Sequence, residues 1–122
     1  MPRSALSEGY SRRHRFSERG SFGTVLRGSR KVRGILAVIH AASRKDEFSR
    51  LGVALTRRLV PSAVHRNLVK RTVREAFRGH AVKGSGLDVV VTLRQRFDES
   101  QAAAIGAEVR GLLDKLYAGE RG

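Results

Sequence analysis

Residues 63–78 read AVHRNLVKRTVREAFR, and their spacing is typical of a two-sided helix. At about 100° per residue, four apolar side chains fall within a stripe about 100° wide. Its members are Val69, Val73, Ala76 and Phe77. Pro61 and Ser62 interrupt the chain just before it, so we predict a helix over about residues 62–78. Because its apolar stripe needs a partner, the remaining elements must supply a core for this helix.

The opposite side of the helix is almost purely basic. Within about 140° of arc it carries five cations and one amide, namely Arg66, Asn67, Lys70, Arg71, Arg74 and Arg78. Solvated faces usually mix charges, because like charges four residues apart cost about 0.2–0.5 kcal/mol per pair. Three such pairs occur here. A polyanionic ligand offsets that repulsion, so we interpret the face as a polyanion-binding surface rather than ordinary solvated helix.

Three apolar stretches around the helix predict strands. Residues 34–41, GILAVIHA, and 87–93, LDVVVTL, are typical of strands buried on both faces. Residues 51–56 alternate large and small side chains, which predicts a strand with one unusually small face. A further short strand is expected near residues 29–33.

Two more helices complete the pattern. Ser17 is a suitable N-cap, and Phe22 stands three and four residues before Val25 and Leu26, which predicts a first helix ending near residue 28. Residues 98–101 form a capping box before an apolar helical stripe. The predicted fold is therefore an α/β (α+β) two-layer sandwich, a small mixed sheet with helices on one face. We expect residues 1–14 to be a flexible basic tail, 15–118 a single domain and 119–122 a frayed end.

Composition points to a nucleic acid partner. The chain has 25 Lys and Arg against 11 Asp and Glu, a formal net charge of +14. Excess charge of this size favours a polyanionic partner, and nucleic acid fits better than an anionic membrane. The longest apolar run, residues 35–39, is too short to span a bilayer, and the basic helix needs its apolar stripe for the core. Without cysteine or an apolar signal region, we expect a cytoplasmic protein.

The basic helix also favours RNA over DNA. A helix-turn-helix, zinc-finger or zipper context for reading DNA is not visible in the sequence. Arginines contact phosphates in bidentate fashion and stack on unpaired bases, which suits folded or single-stranded RNA.

The order of residues in this helix has a specific resemblance. Residues 63–74, AVHRNLVKRTVR, resemble the arginine- and asparagine-rich signature helix of the bacterial ribonuclease P protein component. Residues 50–58, RLGVALTRR, are similar to the family's strand that ends in two cations. Arg15-Phe16-Ser17 with Phe22 resemble its first helix, and residues 87–94 resemble its last strand. The resemblance covers roughly residues 13–116.

This resemblance implies a protein subunit of ribonuclease P, the endoribonuclease that hydrolyses one phosphodiester bond to remove the 5′ leader of precursor tRNA. It implies that the partners are the catalytic RNA and precursor tRNA, with no obligate protein partner and no membrane. The RNA is expected to hold the catalytic Mg²⁺, with no catalytic residue and no metal in the protein. It also implies a left-handed crossover around the signature helix, against the usual right-handed preference.

Carried over residue by residue, the signature helix faces the catalytic RNA through Arg66, Asn67, Lys70, Arg71 and Arg74, and Arg78 extends this basic face. Arg57 and Arg58 are expected to contact phosphates. The leader cleft is expected to be lined by Phe22, Leu26, Gly52, Ala54 and Thr56.

Departures from the family pattern bear on the leader cleft. Leu26 stands where the family often has a second aromatic, and Val38 and Ile39 replace first-strand aromatics. We therefore expect base stacking to contribute less to leader binding, and contacts with the RNA backbone and its phosphates to contribute more. The small strand face at Gly52 and Ala54 has two interpretations: close approach by a nucleotide backbone, or room for a packed helix.

Two other functions compete with ribonuclease P. A ribosomal protein or general RNA chaperone has the same composition, although the ordered signature helix argues against it. A protein-only nuclease needs proton carriers and metal ligands. The chain offers scattered candidates, His14, His40, His65, His80, Glu75 and Asp88, without an acidic cluster suited to two Mg²⁺ ions.

Overall fold

A computed structural model describes residues 25–26, 30–43 and 48–121. Four strands and two long helices make up most of this part. In chain order they are β1 (Arg30–Arg33), β2 (Ala37–Ser43), β3 (Arg50–Val53), α1 (Ala63–Arg78), β4 (Leu87–Leu93) and α2 (Ala102–Arg121). Short 3₁₀ turns at Ala81–Gly84 and Glu99–Gln101 precede β4 and α2.

The strands form one mixed sheet in the order β1-β2-β4-β3. β2 is antiparallel to both β1 and β4, whereas β3 and β4 are parallel. Consequently β1, β3 and β4 all run the same way, and their carboxyl ends lie at one edge of the sheet. The connection from β3 through α1 to β4 is the crossover for which the resemblance implies a left hand, and that hand stays a prediction.

The main core lies between the sheet and the two long helices. The predicted stripe of α1 is confirmed, because Val69, Val73, Ala76 and Phe77 are the buried residues of that helix. They pack with Ile39, Val89 and Val91 of the sheet and with the buried stripe of α2. Burying side chains of this size contributes about 1.5–3 kcal/mol each, so this layer supplies most of the stabilisation.

A smaller cluster lies on the other sheet face. Val90 points away from the α1 and α2 layer and packs with Val25, while Leu26, Ala42 and Ala54 flank them. Val25 and Leu26 are helical, as predicted for residues 17–28. The rest of that predicted helix, including Ser17 and Phe22, lies outside the described residues, as does the predicted tail 1–14.

The strand ends differ from the sequence prediction for local reasons. β2 begins at Ala37 because residues 34–36 form the hairpin turn, with Gly34 N donating to Ala37 O over 2.8 Å. β3 ends at Val53, before the predicted end at residue 56, because the chain turns towards α1 there and Thr56 O accepts from Val60 N. α2 continues to Arg121, three residues past the predicted domain end.

Candidate nucleic-acid interface

The start of α1 fixes the direction of its basic face. Ser62 is the N-cap, and its Oγ accepts from His65 N over 3.2 Å. Because the apolar stripe is anchored in the core, the polar side of the helix must face outward. Asn67 and Arg71 are exposed, while Lys70 and Arg74 are half-buried along the same side. Within residues 25–26, 30–43 and 48–121, these four side chains take part in no salt bridge, so the three cations present uncompensated charge.

Two members of the predicted RNA-binding set also bond within the protein. Arg66 Nη1 donates to Val60 O over 2.9 Å and to Pro61 O over 3.0 Å, which closes the turn before α1. Arg78 Nη2 donates to Glu75 Oε1 over 2.6 Å, so its charge is partly offset. The helical spacing predicts Arg66 and Arg78 on the basic face, but it cannot show their hydrogen bonds within the protein. Arg66 therefore has a structural role that the sequence analysis missed.

A cleft of about 440 Å³ opens where α1 meets the carboxyl ends of β3 and β4. Crevices at strand carboxyl ends are common ligand sites in α/β sheets. Helix cations, small strand residues and apolar loop residues share the lining, which comprises Leu26, Val53, Ala54, Leu55, Thr56, Leu59, Val60, Arg66, Lys70, Thr92 and Leu93. The structure thus brings Leu26, Ala54 and Thr56 of the predicted leader cleft together with two cations of the predicted RNA-binding face.

The two remaining leader-cleft residues do not enter this lining. Gly52 is buried and paired in register with Val90, which packs under the helical residue Val25. Gly52 therefore lies outside this lining, and its predicted role in the leader cleft stays a prediction. Phe22 lies outside the described residues.

Arg57 and Arg58 adjoin the cleft in the chain but are not among its lining residues. They are exposed in the turn between β3 and α1, directly between the lining residues Thr56 and Leu59. Their expected contacts with phosphates stay a prediction. Two exposed guanidinium groups at this point are able to hold phosphates entering or leaving the cleft.

His40 lies beside the cleft, on the same face of the sheet as the lining residue Thr92. It is only 8% exposed, and its Nε2 lies 3.1 Å from Oγ1 of the lining residue Thr92. Burial lowers the pKa of His40 below 6.5, and the nearby charges of Lys31 and Arg33 lower it further. His40 is therefore held neutral near pH 7.

The other described histidines are occupied elsewhere. His65 stacks edge-on against Phe97 at 5.4 Å and has Nε2 3.5 Å from Glu99 Oε1. His80 accepts from Val82 N at Nδ1 over 3.0 Å, and its Nε2 is 2.7 Å from Asp114 Oδ1. Neither lines the cleft.

The carboxylates do not suit a Mg²⁺ site. Asp88 accepts two hydrogen bonds from Arg50, over 2.8 and 3.0 Å, and Glu75 is paired with Arg78. Glu108 accepts backbone hydrogen bonds from the β1–β2 turn. Across the described ranges, three His, Asp or Glu side chains nowhere gather into a group able to hold a metal.

No helix in the described part of the chain has the length and apolarity needed to cross a bilayer.

Comparisons with known proteins agree with this geometry. The model of the family described as "Ribonuclease P" matches residues 10–117. The ribonuclease P protein component of Bordetella parapertussis is 33% identical, and the match covers 96% of each chain. The solved RNase P protein of Thermotoga maritima is 28% identical with a TM-score of 0.63, covering 84% of this chain and 93% of that one. A Staphylococcus aureus RNase P protein mutant with defective mRNA degradation activity shares the fold, with a TM-score of 0.74 at 22% identity and 94% coverage of both chains.

Proposed function

Since the chain belongs to the ribonuclease P protein family, we propose that it is the protein subunit of the ribonucleoprotein that removes the 5′ leader from precursor tRNA. The observation that carries this proposal beyond family membership is the meeting of two surfaces. Arg66 and Lys70 of α1 line one wall of a cleft whose floor is formed by the carboxyl ends of β3 and β4, and Arg71 and Arg74 continue the basic surface along the helix outside that cleft. One RNA can lie along the helix while a second segment enters the cleft.

We assign the catalytic RNA to the outer basic face of α1. Asn67, Lys70, Arg71 and Arg74 point outward from a helix anchored in the core. A rigid helix holds its cations at fixed spacing, which favours a structured RNA backbone over a mobile strand. Each phosphate contact releases counterions, so this association should weaken steeply with salt.

We assign the single-stranded leader of precursor tRNA to the cleft. Leu26, Ala54 and Thr56 offer apolar and small side chains, and Arg66 and Lys70 supply positive charge. The described lining residues include no aromatic side chain, so base stacking of about 1–3 kcal/mol per base is not available from them. Phosphate and backbone contacts, including those from Arg57 and Arg58, are the main source of affinity in this proposal.

We place the chemistry of phosphodiester hydrolysis, with its Mg²⁺ ions, in the RNA subunit. The engaged carboxylates and the bonded or buried histidines support this division, because they leave little for general acid–base or metal catalysis. The protein's own contribution is to bind and orient RNA. We propose that it does so in the cytoplasm, where precursor tRNA is processed.

The test is reconstitution with the cognate catalytic RNA. The protein should stimulate cleavage of precursor tRNA at low Mg²⁺, and Lys70→Glu with Arg74→Glu should abolish most of the stimulation. Arg110→Glu with Lys115→Glu is the matched control, because these cations are exposed on α2 and the change in net charge is the same. Precursor cleavage by the protein without RNA would instead identify a protein-only nuclease. Equal stimulation of unrelated RNA reactions would identify a chaperone.

A further inference from the structure

The turn between β3 and α1 is held by hydrogen bonds from three directions, and we call residues 56–61 the tethered turn. Inside the turn, Thr56 O accepts from Val60 N over 2.9 Å. From the loop before α2, Phe97 N donates to Leu59 O over 2.9 Å. The Val60 side chain is fully buried, so it anchors the end of the turn in the core. The main chain of the turn is therefore restrained on the side of the turn itself and on the side of α2.

The third direction is the side chain of Arg66, which reaches back from α1. Its Nη1 carries two N–H groups and donates to Val60 O over 2.9 Å and to Pro61 O over 3.0 Å. The helix that supports Arg66 is itself fixed, because its apolar stripe lies in the core. Arg66 therefore ties the tethered turn to a rigid element.

The tethered turn carries two cations that no acidic group offsets. Arg57 and Arg58 are exposed, and across the described residues neither takes part in a salt bridge. Exposed connecting segments are usually among the more mobile parts of a fold. Here the main chain around two free guanidinium groups is instead fixed. Fixed cations lose less conformational entropy when they bind an anion, so a restrained turn favours phosphate binding.

We propose that Arg66 is a positioning residue, whose two bonds to the tethered turn hold Arg57 and Arg58 where they bind phosphates of precursor tRNA. This inference rests on the proposed function, because it concerns how the subunit holds its substrate. It differs from the role that the resemblance implies for Arg66, which is direct contact with the catalytic RNA. Breaking the two bonds of Arg66 should cost the phosphate contacts made by the other two arginines.

Two competing explanations make different predictions. A direct RNA contact by Arg66 depends on its charge, and its effect adds to the effects of Arg57 and Arg58. A role in folding alone lowers the fraction of active protein, and hence the apparent kcat, without changing KM. Positioning predicts a raised KM at unchanged kcat, together with effects that do not add.

A substitution that keeps the charge provides the test. In Arg66→Lys the ammonium nitrogen lies one bond closer to the main chain than Nη1 does, so it is too short to bridge Val60 O and Pro61 O in this geometry. Cleavage of precursor tRNA is measured with the catalytic RNA saturated by the protein, so that affinity for the catalytic RNA does not enter.

Arg66→Lys should raise KM about tenfold at unchanged kcat, as should Arg57→Ala combined with Arg58→Ala. All three changes together should raise KM about tenfold rather than about a hundredfold, because the phosphate contacts are lost only once. The salt dependence of precursor affinity should also fall in Arg66→Lys, by about 0.7 log units per lost contact, although the net charge is unchanged.

Two further variants support this comparison. Arg110→Lys is the matched control, because it makes the same exchange at an exposed position of α2 and should alter neither kcat nor KM. Thr56→Val loosens the turn from its other end, since Thr56 Oγ1 accepts from Leu59 N over 3.3 Å. It should raise KM by less than Arg66→Lys does, and not at all when Arg57 and Arg58 are already alanine. This second variant keeps the proposal testable if Arg66→Lys folds poorly.

Each contrary outcome has a separate meaning. Additive effects of Arg66→Lys and the two alanine substitutions would leave Arg66 as a direct contact and reject positioning. A lower kcat at unchanged KM would assign its bonds to stability alone. No effect of Arg57→Ala with Arg58→Ala would also reject the proposal, because the turn would then hold no phosphate. Failure of the unaltered protein to stimulate cleavage would instead overturn the proposed function.

Backbone ¹⁵N relaxation of the free protein measures the rigidity of the tethered turn without RNA. The amides of Arg57 and Arg58 should have order parameters of about 0.85 in the unaltered protein and below about 0.6 in Arg66→Lys. Arg110→Lys should leave both values unchanged. Order parameters that stay high in Arg66→Lys would show that the turn does not depend on Arg66 and would refute the proposal.

Discussion

The carboxylate of Glu108 on α2 lies directly against Gly34 in the β1–β2 turn. Its Oε2 accepts from Leu36 N and Ala37 N, each over 2.8 Å, and its Oε1 accepts from Ile35 N over 3.2 Å. A side chain at residue 34 would overlap with this carboxylate. The contact joins the β1–β2 hairpin to the helix layer.

Removing the Glu108 carboxylate should destabilise the protein. Glu108→Ala leaves the turn amides without their acceptor, two of them partly buried, and we expect the free energy of unfolding to fall by about 2–4 kcal/mol. Urea denaturation followed by circular dichroism measures it. Gly34→Ala should act through the same contact by displacing the carboxylate. Gly84→Ala is the matched control, because a Cβ atom there meets no atom within 4 Å. An unchanged midpoint in Glu108→Ala would show that water replaces the carboxylate.

The local parts of this fold were predictable from sequence, and the long-range contacts were not. The buried stripe of α1 followed from helical geometry alone. The start of α1 near Ser62 and the bounds of β4 followed from other local sequence patterns. The bond between Glu108 and Leu36 joins residues 72 apart, and no local pattern encodes it. Gly34 is the local signal for the hairpin turn, but the apolar pattern of residues 34–41 predicts it as the first residue of the strand.

In the candidate site, too, the local features were predictable from sequence and the long-range contacts were not. Arg66 and Lys70 were assigned correctly to one helix face, because that face depends only on spacing. Their meeting with Thr92 in one cleft depends on the order of strands in the sheet. The position of Gly52 outside the lining of this cleft could not be predicted, because an alternating strand does not reveal which part of its face is covered. The predicted roles of the individual RNA-contacting side chains stay predictions.

Arg66 should differ from its neighbours on the basic face when substituted. Because Arg66 Nη1 bonds to Val60 O and Pro61 O, Arg66→Ala should lower both RNA affinity and the free energy of unfolding, the latter by about 1–2 kcal/mol. Lys70→Ala should lower affinity alone, since Lys70 makes no such bond. Binding of the catalytic RNA measured over a salt series, beside urea denaturation, separates the two effects. Equal stability losses at both positions would contradict the structural role of Arg66.

His40 should make stability depend on pH in the mildly acidic range. Burial and the charges of Lys31 and Arg33 keep its pKa in the folded state below 6.5, so the unfolded chain binds the proton first. Stability rises with pH wherever the unfolded state binds more protons. The free energy of unfolding should therefore fall as pH is lowered below 6.5, down to the folded-state pKa. His40→Gln should flatten this segment of the pH profile, and an unaltered slope in the variant would assign the dependence to other groups.

Ala54 tests whether the cleft is the place where the leader binds. Its side chain lines the cleft and also contacts the cluster of Val25 and Val90. Ala54→Leu adds volume to a cleft of about 440 Å³, so affinity for precursor tRNA should fall about tenfold or more while affinity for the catalytic RNA stays the same. Ala103→Leu, the same change at an exposed position of α2, is the control and should alter neither. Precursor affinity has to be compared at equal folded fraction, since overpacking near Val90 is expected to lower stability by about 1–3 kcal/mol. Loss of both affinities in a folded Ala54→Leu protein would show that the cleft and the outer face of α1 bind RNA as a single surface.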